Sequence, residues 1–202
     1  MKKVAKGNWG YIRYEKKKRF LLTLLMFLLP LGIYMIGYFT VKSRLNLFTV
    51  VAILGCLPAC RSAVGLIMML LQKPMPQERY EAAKNAAGNL TIGYELVVTA
   101  YEHTSLVEAA IVCGDQIVCY TPDQNTDPPY LEKHIRQILS ANGFTEAQVK
   151  VMKDWKQYLQ RISTIAKNPE KYREGLSFTP DERYPSLSRD EVIYQTLLAI
   201  SL

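Results

Sequence analysis

Two stretches decide the architecture of this chain: Phe20 to Val41, FLLTLLMFLLPLGIYMIGYFTV, and Leu45 to Gln72, LNLFTVVAILGCLPACRSAVGLIMMLLQ. The first is 22 residues without a charge, and the second is 28 residues with Arg61 as its sole charge. At about 1.5 Å per helical residue the first run reaches about 33 Å, enough for a hydrocarbon core of about 30 Å. Lipid offers no partner for backbone N–H and C=O groups, so each run must satisfy its own, and a helix does that. Only Lys42-Ser43-Arg44 separates the runs, which leaves room for a tight turn. The spacing predicts a transmembrane hairpin over residues 20–72, with helices at about 20–41 and 45–71. A cleaved secretory signal does not fit: the first run exceeds the usual apolar region of roughly 7–15 residues, and no small-residue cleavage site follows. Ile53-Leu54-Gly55-Cys56 has the form of a lipoprotein box but lies too deep in the chain.

The 202 residues carry a formal net charge of +7, distributed unevenly. Residues 1–19 hold eight Lys/Arg against Glu15, residues 20–72 hold three cations and no acid, and residues 73–202 hold 14 cations against 17 acids. The folded C-terminal part thus has no positive excess with which to neutralise phosphates, and no nucleic-acid partner is expected. The positive-inside rule places the cation-rich start and the segment after the second run, with Lys73, Arg79 and Lys84, in the cytoplasm. Both termini are then cytoplasmic in a multi-pass protein of the cell membrane, and the turn faces outward. Trp9, Tyr11 and Tyr14 interleave with the cations as an interfacial belt does.

Within the spans, Pro30 and Pro58 fall near mid-run and allow kinks. Gly55, Ala59 and Ala63 repeat at four-residue spacing, a small-residue face that permits close helix packing, within the hairpin or against a second copy. Arg61 has two readings. It is an intramembrane functional residue near mid-bilayer, or a cation snorkelling to the cytoplasmic headgroups with residues 65–72 at the interface.

Lys73-Pro74-Met75-Pro76 ends the second run and opens a cytoplasmic α/β domain over residues 73–202. Gln77–Ala87 reads as a helix closed by Gly88. Tyr94–Glu102 is rich in Val, Thr and Tyr and reads as a strand. Leu106–Cys113 and Gln116–Thr121 flank Gly114-Asp115, a type II′ hairpin signal. That register sets Cys113 opposite Gln116 and Cys119 opposite Ala110, so the two thiols face opposite ways and form no disulfide. Tyr130–Asn142 is amphipathic, Gln148–Lys153 alternates as a strand, and Asp154 caps a further helix. Residues 167–187 read as irregular. Ser188 and Glu191 form a capping box for the last helix. The fold class is membrane-anchored α/β, with the soluble order α-β-β-β-α-β-α-α.

Chemical signatures are sparse. Cys56, Cys60, Cys113 and Cys119 form no framework, and His103 and His134 have no metal-ligand spacing around them. No G-x-S-x-G, P-loop or G-x-G-x-x-G occurs, so no catalytic set, cofactor or metal site is legible. Glu95, Glu102 and Glu108 lie on or beside strands, where a solvated strand face accounts for them. Asp123 and Asp127 suit turns. Asn89-Leu90-Thr91 is a glycosylation sequon without meaning on a cytoplasmic domain.

The order of elements over residues 77–153 resembles the core of restriction-endonuclease-like (PD-(D/E)xK) nucleases. The resemblance implies an acid on the second core strand, for which Glu108 stands. It also implies an acid and a Lys on the third, but Gln116-Ile117-Val118-Cys119-Tyr120 supplies neither. The N-terminal part, through Gly10-Tyr11-Ile12-Arg13-Tyr14 and Ala52-Ile53-Leu54-Gly55-Cys56-Leu57-Pro58-Ala59, is similar to small uncharacterised two-pass membrane proteins of Gram-positive bacteria. That resemblance implies the hairpin and transfers no activity.

The expected function is a non-enzymatic, membrane-anchored module whose cytoplasmic domain binds or regulates a protein partner. Besides the lipid bilayer, its partners are then a second protein or a second copy. Two other readings compete: a transport-associated or membrane-active component organised by Arg61 and the Gly55/Ala59/Ala63 face, and a degenerate nuclease-like hydrolase using the acids around Glu95, Glu102 and Glu108.

Overall fold

A computed structural model describes residues 3–42, 47–100, 103–176, 178 and 186–202. The chain divides into two compact units, one of residues 12–73 and one combining the segment up to Tyr11 with Pro74–Leu202.

The first unit is a pair of helices, α1 (Tyr11–Val41) and α2 (Leu47–Leu71), both long and apolar enough to cross a membrane. Helix α1 starts nine residues before the uncharged run, so part of the cationic segment is helical. Lys42 takes φ 52°, a turn conformation, while Ser43 and Arg44 of the expected turn lie outside the described residues. In a soluble core helix most apolar side chains would be covered; here only 17% of each apolar window is buried. Beyond Ile12 and Glu15 near its start, the covered residues of α1 recur every seventh position, at Thr23, Pro30 and Gly37, with Ala52 and Ala59 at the same spacing on α2. A seven-residue repeat keeps one narrow seam facing its partner. Lys16 reaches the Leu70 carbonyl, Arg19 the Gly65 carbonyl, and Thr23 Oγ1 lies 2.8 Å from Ser62 Oγ. The pairs step antiparallel toward the turn.

The second unit is a three-layer α/β/α sandwich. Its sheet has the order β1-β2-β3-β4: β1 (Thr91–Ala100), β2 (His103–Cys113) and β3 (Gln116–Tyr120) are antiparallel neighbours, and β4 (Gln148–Met152) runs parallel to β3. Helices α3 (Gln77–Ala87) and α5 (Trp155–Lys167) cover one face. There Ala83, Tyr158 and Ile162 pack on Ala109, Ile111 and Val118. Helices α4 (Pro128–Ala141) and α7 (Arg189–Ala199) cover the other, with Leu131, Ile135, Ile193 and Leu197 on Val107, Ala110 and Val149.

Local signals act as expected. Asp154 Oδ1 accepts the Gln157 N–H, and Ser188 and Glu191 close their capping box in both directions. Gly114 has φ 60° while Asp115 does not take positive φ, as a type II′ turn requires. Residues 167–187 are less irregular than their prolines imply, because Pro169–Arg173 forms one short helix, α6; residue 177 and residues 179–185 lie outside the described set.

The N-terminal segment belongs to this sandwich. Gly7 accepts the Tyr94 N–H at 2.7 Å, and Lys6 donates to the Ser201 carbonyl. Leu202 N–H donates to Val97 at 2.8 Å, and Ser201 bridges Val98. Both chain ends therefore cover the free edge of β1, which would otherwise invite pairing with another chain. Gly7 has φ 83°, and a Cβ there would lie 2.2 Å from the Tyr194 hydroxyl, so a larger residue is strained and must displace Tyr194.

Candidate functional site

The polar centre of the sandwich is a row of two buried acids. Tyr94 pairs with Ala109 and Leu96 with Val107, which sets Glu95 and Glu108 opposite one another between those rows. Each is 1% exposed. At this row both strands change face: Tyr94 and Ala109 pack toward α3 and α5, Leu96 and Val107 toward α4 and α7. Strict alternation would keep positions two apart on one face. Glu95 breaks it by adopting φ 53°, a left-handed conformation that costs a non-glycine residue about 1–3 kcal/mol and persists only where its surroundings enforce it.

Glu95 Oε1 accepts the Met75 N–H at 2.9 Å, and the Met75 carbonyl accepts the Trp9 indole N–H at 3.0 Å. Trp9 stacks on Tyr80, which meets Tyr94 edge-on. Trp9, expected in an interfacial belt, is thus a packing residue of the sandwich. Glu108 Oε2 lies 3.0 Å from Arg79 Nη1, but the same nitrogen donates to the Tyr120 hydroxyl at 3.2 Å, and Oε2 receives no aligned hydrogen bond. The Arg79 contact is a charge contact rather than a fork. Tyr120 packs on Trp155 and Tyr158. The hydroxyls of Tyr94 and Tyr158 are buried without a hydrogen-bond partner among the described residues.

Burial pushes the Glu108 carboxyl above its usual range; Arg79 draws it back and Glu95 adds to the rise. A buried carboxyl with a second carboxyl beside it favours retention of a proton. Burial likewise raises the Tyr94 and Tyr158 phenols. The arrangement can hold a proton and fix the path of residues 74–76. With both acids 1% exposed, it offers a soluble substrate no access. The solvated strand face expected for Glu95 and Glu108 is therefore replaced by a buried pair. Glu102 lies outside the described residues. Among the described residues no three His, Cys, Asp or Glu side chains converge as metal ligands. His103 opens β2 and His134 lies on α4.

A third buried acid of the sandwich, Asp190, organises the β2–β3 turn. It accepts the Gly114 N–H at 2.9 Å and a two-pronged contact from Arg173 at 3.0 and 2.8 Å. Arg189 returns a bond to the Gly114 carbonyl at 2.6 Å. Sequence reasoning missed Asp190, whose position in the first turn of α7 marked it only as a helix-start residue.

The thiols lie as the register dictates, Cys113 toward α5 and Cys119 toward α4, and all four are free. Burial raises Cys113 to about 11 and Cys119 to about 12.

In the helical pair, Gly55 faces Pro30, and a Cβ at Gly55 would lie 3.3 Å from that of Pro30. Ala59 is fully buried and Ala63 half-buried, while Arg61 is exposed on the outer side of α2. On the sandwich, a mainly apolar groove of about 610 Å³ runs between α4 and α7, lined by Ile138, Leu187, Val192, Ala199 and Ile200 with Asn142, Gln195 and Thr196 as its polar members. Neither a family model, nor a curated protein, nor a solved structure matches the chain.

Proposed function

We propose that the protein is a membrane-anchored, non-enzymatic module that crosses the bilayer twice and presents its α/β sandwich in the cytoplasm to a protein partner. The supporting observation is the apolar outer surface of α1 and α2, where Leu21, Leu25, Phe39, Ile53, Leu57 and Leu71 are each more than half exposed. In water a face of that size drives aggregation, whereas in lipid it is satisfied. The buried acids supply internal bonds and the α4/α7 groove is mainly apolar, which suits an amphipathic helix of a partner better than a substrate.

Alkaline carbonate should leave the chain in the membrane pellet. In a background with the native cysteines replaced, an impermeant maleimide should label Lys42→Cys on intact cells and Gln77→Cys only after lysis. Release by carbonate, or the reverse labelling, refutes the reading. A partner captured from solubilised membranes by the wild-type chain should be lost with Ala199→Glu in the groove.

The nuclease-like reading keeps one favourable observation: the sandwich has the expected order of helix, three antiparallel strands, helix and parallel strand. Arg79 against Glu108, and the lack of an acid or Lys on β3, oppose activity.

A further inference from the structure

The cations at the start of α1 divide by helix face. Lys16 and Arg19 lie on the seam with Thr23 and point at α2, donating to the carbonyls of Leu70 at 3.0 Å and Gly65 at 3.2 Å. Leu70 lies in the last turn of α2, where carbonyls have no intrahelical partner, and Gly65 lies more than one turn before it. Glu15, 6% exposed, sits on the same seam and pairs with Arg19 at 3.2 Å. Two cations of the run are thus internal fittings of the hairpin.

Lys17 and Lys18 lie on the opposite face. Lys17 is exposed, and the Lys18 side chain is 55% exposed despite a 3.4 Å contact with Glu15. Arg13, also exposed, precedes Lys17 by one turn. One turn after Lys17 the same stripe becomes apolar: Leu21 is 65% exposed, and Leu25, a further turn on, is 64% exposed. Residues four apart on a helix are surface neighbours, so cationic and lipid-seeking surface adjoin without a polar spacer.

We propose that Lys17 and Lys18 form a face for the phosphate groups of anionic phospholipids, and that Lys16 and Arg19 take no part in it. The inference rests on the reading of α1 as a membrane span. Among polyanions, only an amphiphile satisfies the cations and the adjoining leucines together. One cation near an anionic surface contributes about 1 kcal/mol, about fivefold in association.

The full chain is reconstituted in phosphatidylcholine bilayers containing spin-labelled phosphatidylglycerol or spin-labelled phosphatidylcholine, and the motionally restricted fractions are compared. The wild type should prefer phosphatidylglycerol by about fivefold or more, less in high salt. Lys17→Gln/Lys18→Gln should bring the preference toward unity. Lys16→Gln should keep it and lower the hairpin's resistance to denaturing detergent. No preference in the wild type, a preference that survives the double substitution, or an equal loss with Lys16→Gln would each overturn the proposal. Tight binding of duplex DNA without lipid preference would overturn it and assign the face to nucleic acid. Release by carbonate overturns the spanning reading as well, whereas retention without lipid preference overturns this proposal alone.

Discussion

Replacing Glu108 by Gln tests whether the buried acid pair holds a proton. The amide keeps the shape of the carboxyl and removes its charge. Burial raises the Glu108 carboxyl in the folded protein, so the folded state binds the proton more tightly than the unfolded chain. The stability this confers is present in full below the ordinary carboxylate range and is lost as pH rises through the raised value. Above that value no further loss accrues; between the two, each pH unit costs up to about 1.4 kcal/mol. Trp9 and Trp155 are the only tryptophans and both lie in the sandwich, so intrinsic fluorescence during denaturation of the full chain in micelles reports this unit alone. Wild type should lose stability from acid toward neutral pH by a margin that Glu108→Gln lacks. Arg79→Met should deepen the loss, to about 3–5 kcal/mol where Glu108 ionises without its countercharge, and adding Glu108→Gln should recover most of it. A Glu108→Gln variant with the wild-type pH slope, or one weaker than wild type by several kcal/mol at neutral pH alone, would refute the reasoning. The second result would mean that an ionised Glu108–Arg79 pair is the stabilising form.

Asp190→Ala should strand the Gly114 N–H and the Arg173 guanidinium and cost about 2–4 kcal/mol, read as a lower denaturant midpoint. Gly7→Ala forces a side chain against Tyr194 at positive φ and should cost at least about 1 kcal/mol, with increased amide exchange at Tyr94, whose N–H bonds Gly7. Thr23→Val removes one partner of the Ser62 contact and should weaken the hairpin by about 0.6–1.7 kcal/mol in a detergent-denaturation series. Cys113 and Cys119, buried and with raised thiols, should react with maleimide only after unfolding.

Much of this architecture was legible in the chain because its signals are local. A charge-free run of helical length reads the same in any context, and so do a Ser188/Glu191 box, an Asp154 cap and a Gly114-Asp115 turn. The register of β2 against β3 followed from the turn, and with it the opposed thiols. Two readings missed because their causes are remote in sequence. Lys6 and Trp9 looked like parts of a basic aromatic anchor, yet Lys6 bonds Ser201 and Trp9 bonds Met75, partners 195 and 66 positions away. Glu95 and Glu108 looked like solvated strand acids, but helices brought from distant parts of the chain cover both faces of the sheet and leave each acid 1% exposed.

The sequence by itself determined where apolar surface accumulates, where helices begin and where the chain turns, since those depend on neighbours within a few residues. It also determined the charge asymmetry, with +7 on the first nineteen residues, three cations in the apolar runs and a mildly acidic segment over residues 73–202. Only the tertiary structure decided what each charge does. Lys16 and Arg19 point at carbonyls of α2 and Lys17 points outward, though all three sit in one basic run. Glu108 is buried against Arg79 rather than bathed in water. A charge has the same composition on either face of a helix or sheet; its energy depends on what the fold brings within a few ångströms, and that depends on residues far along the chain.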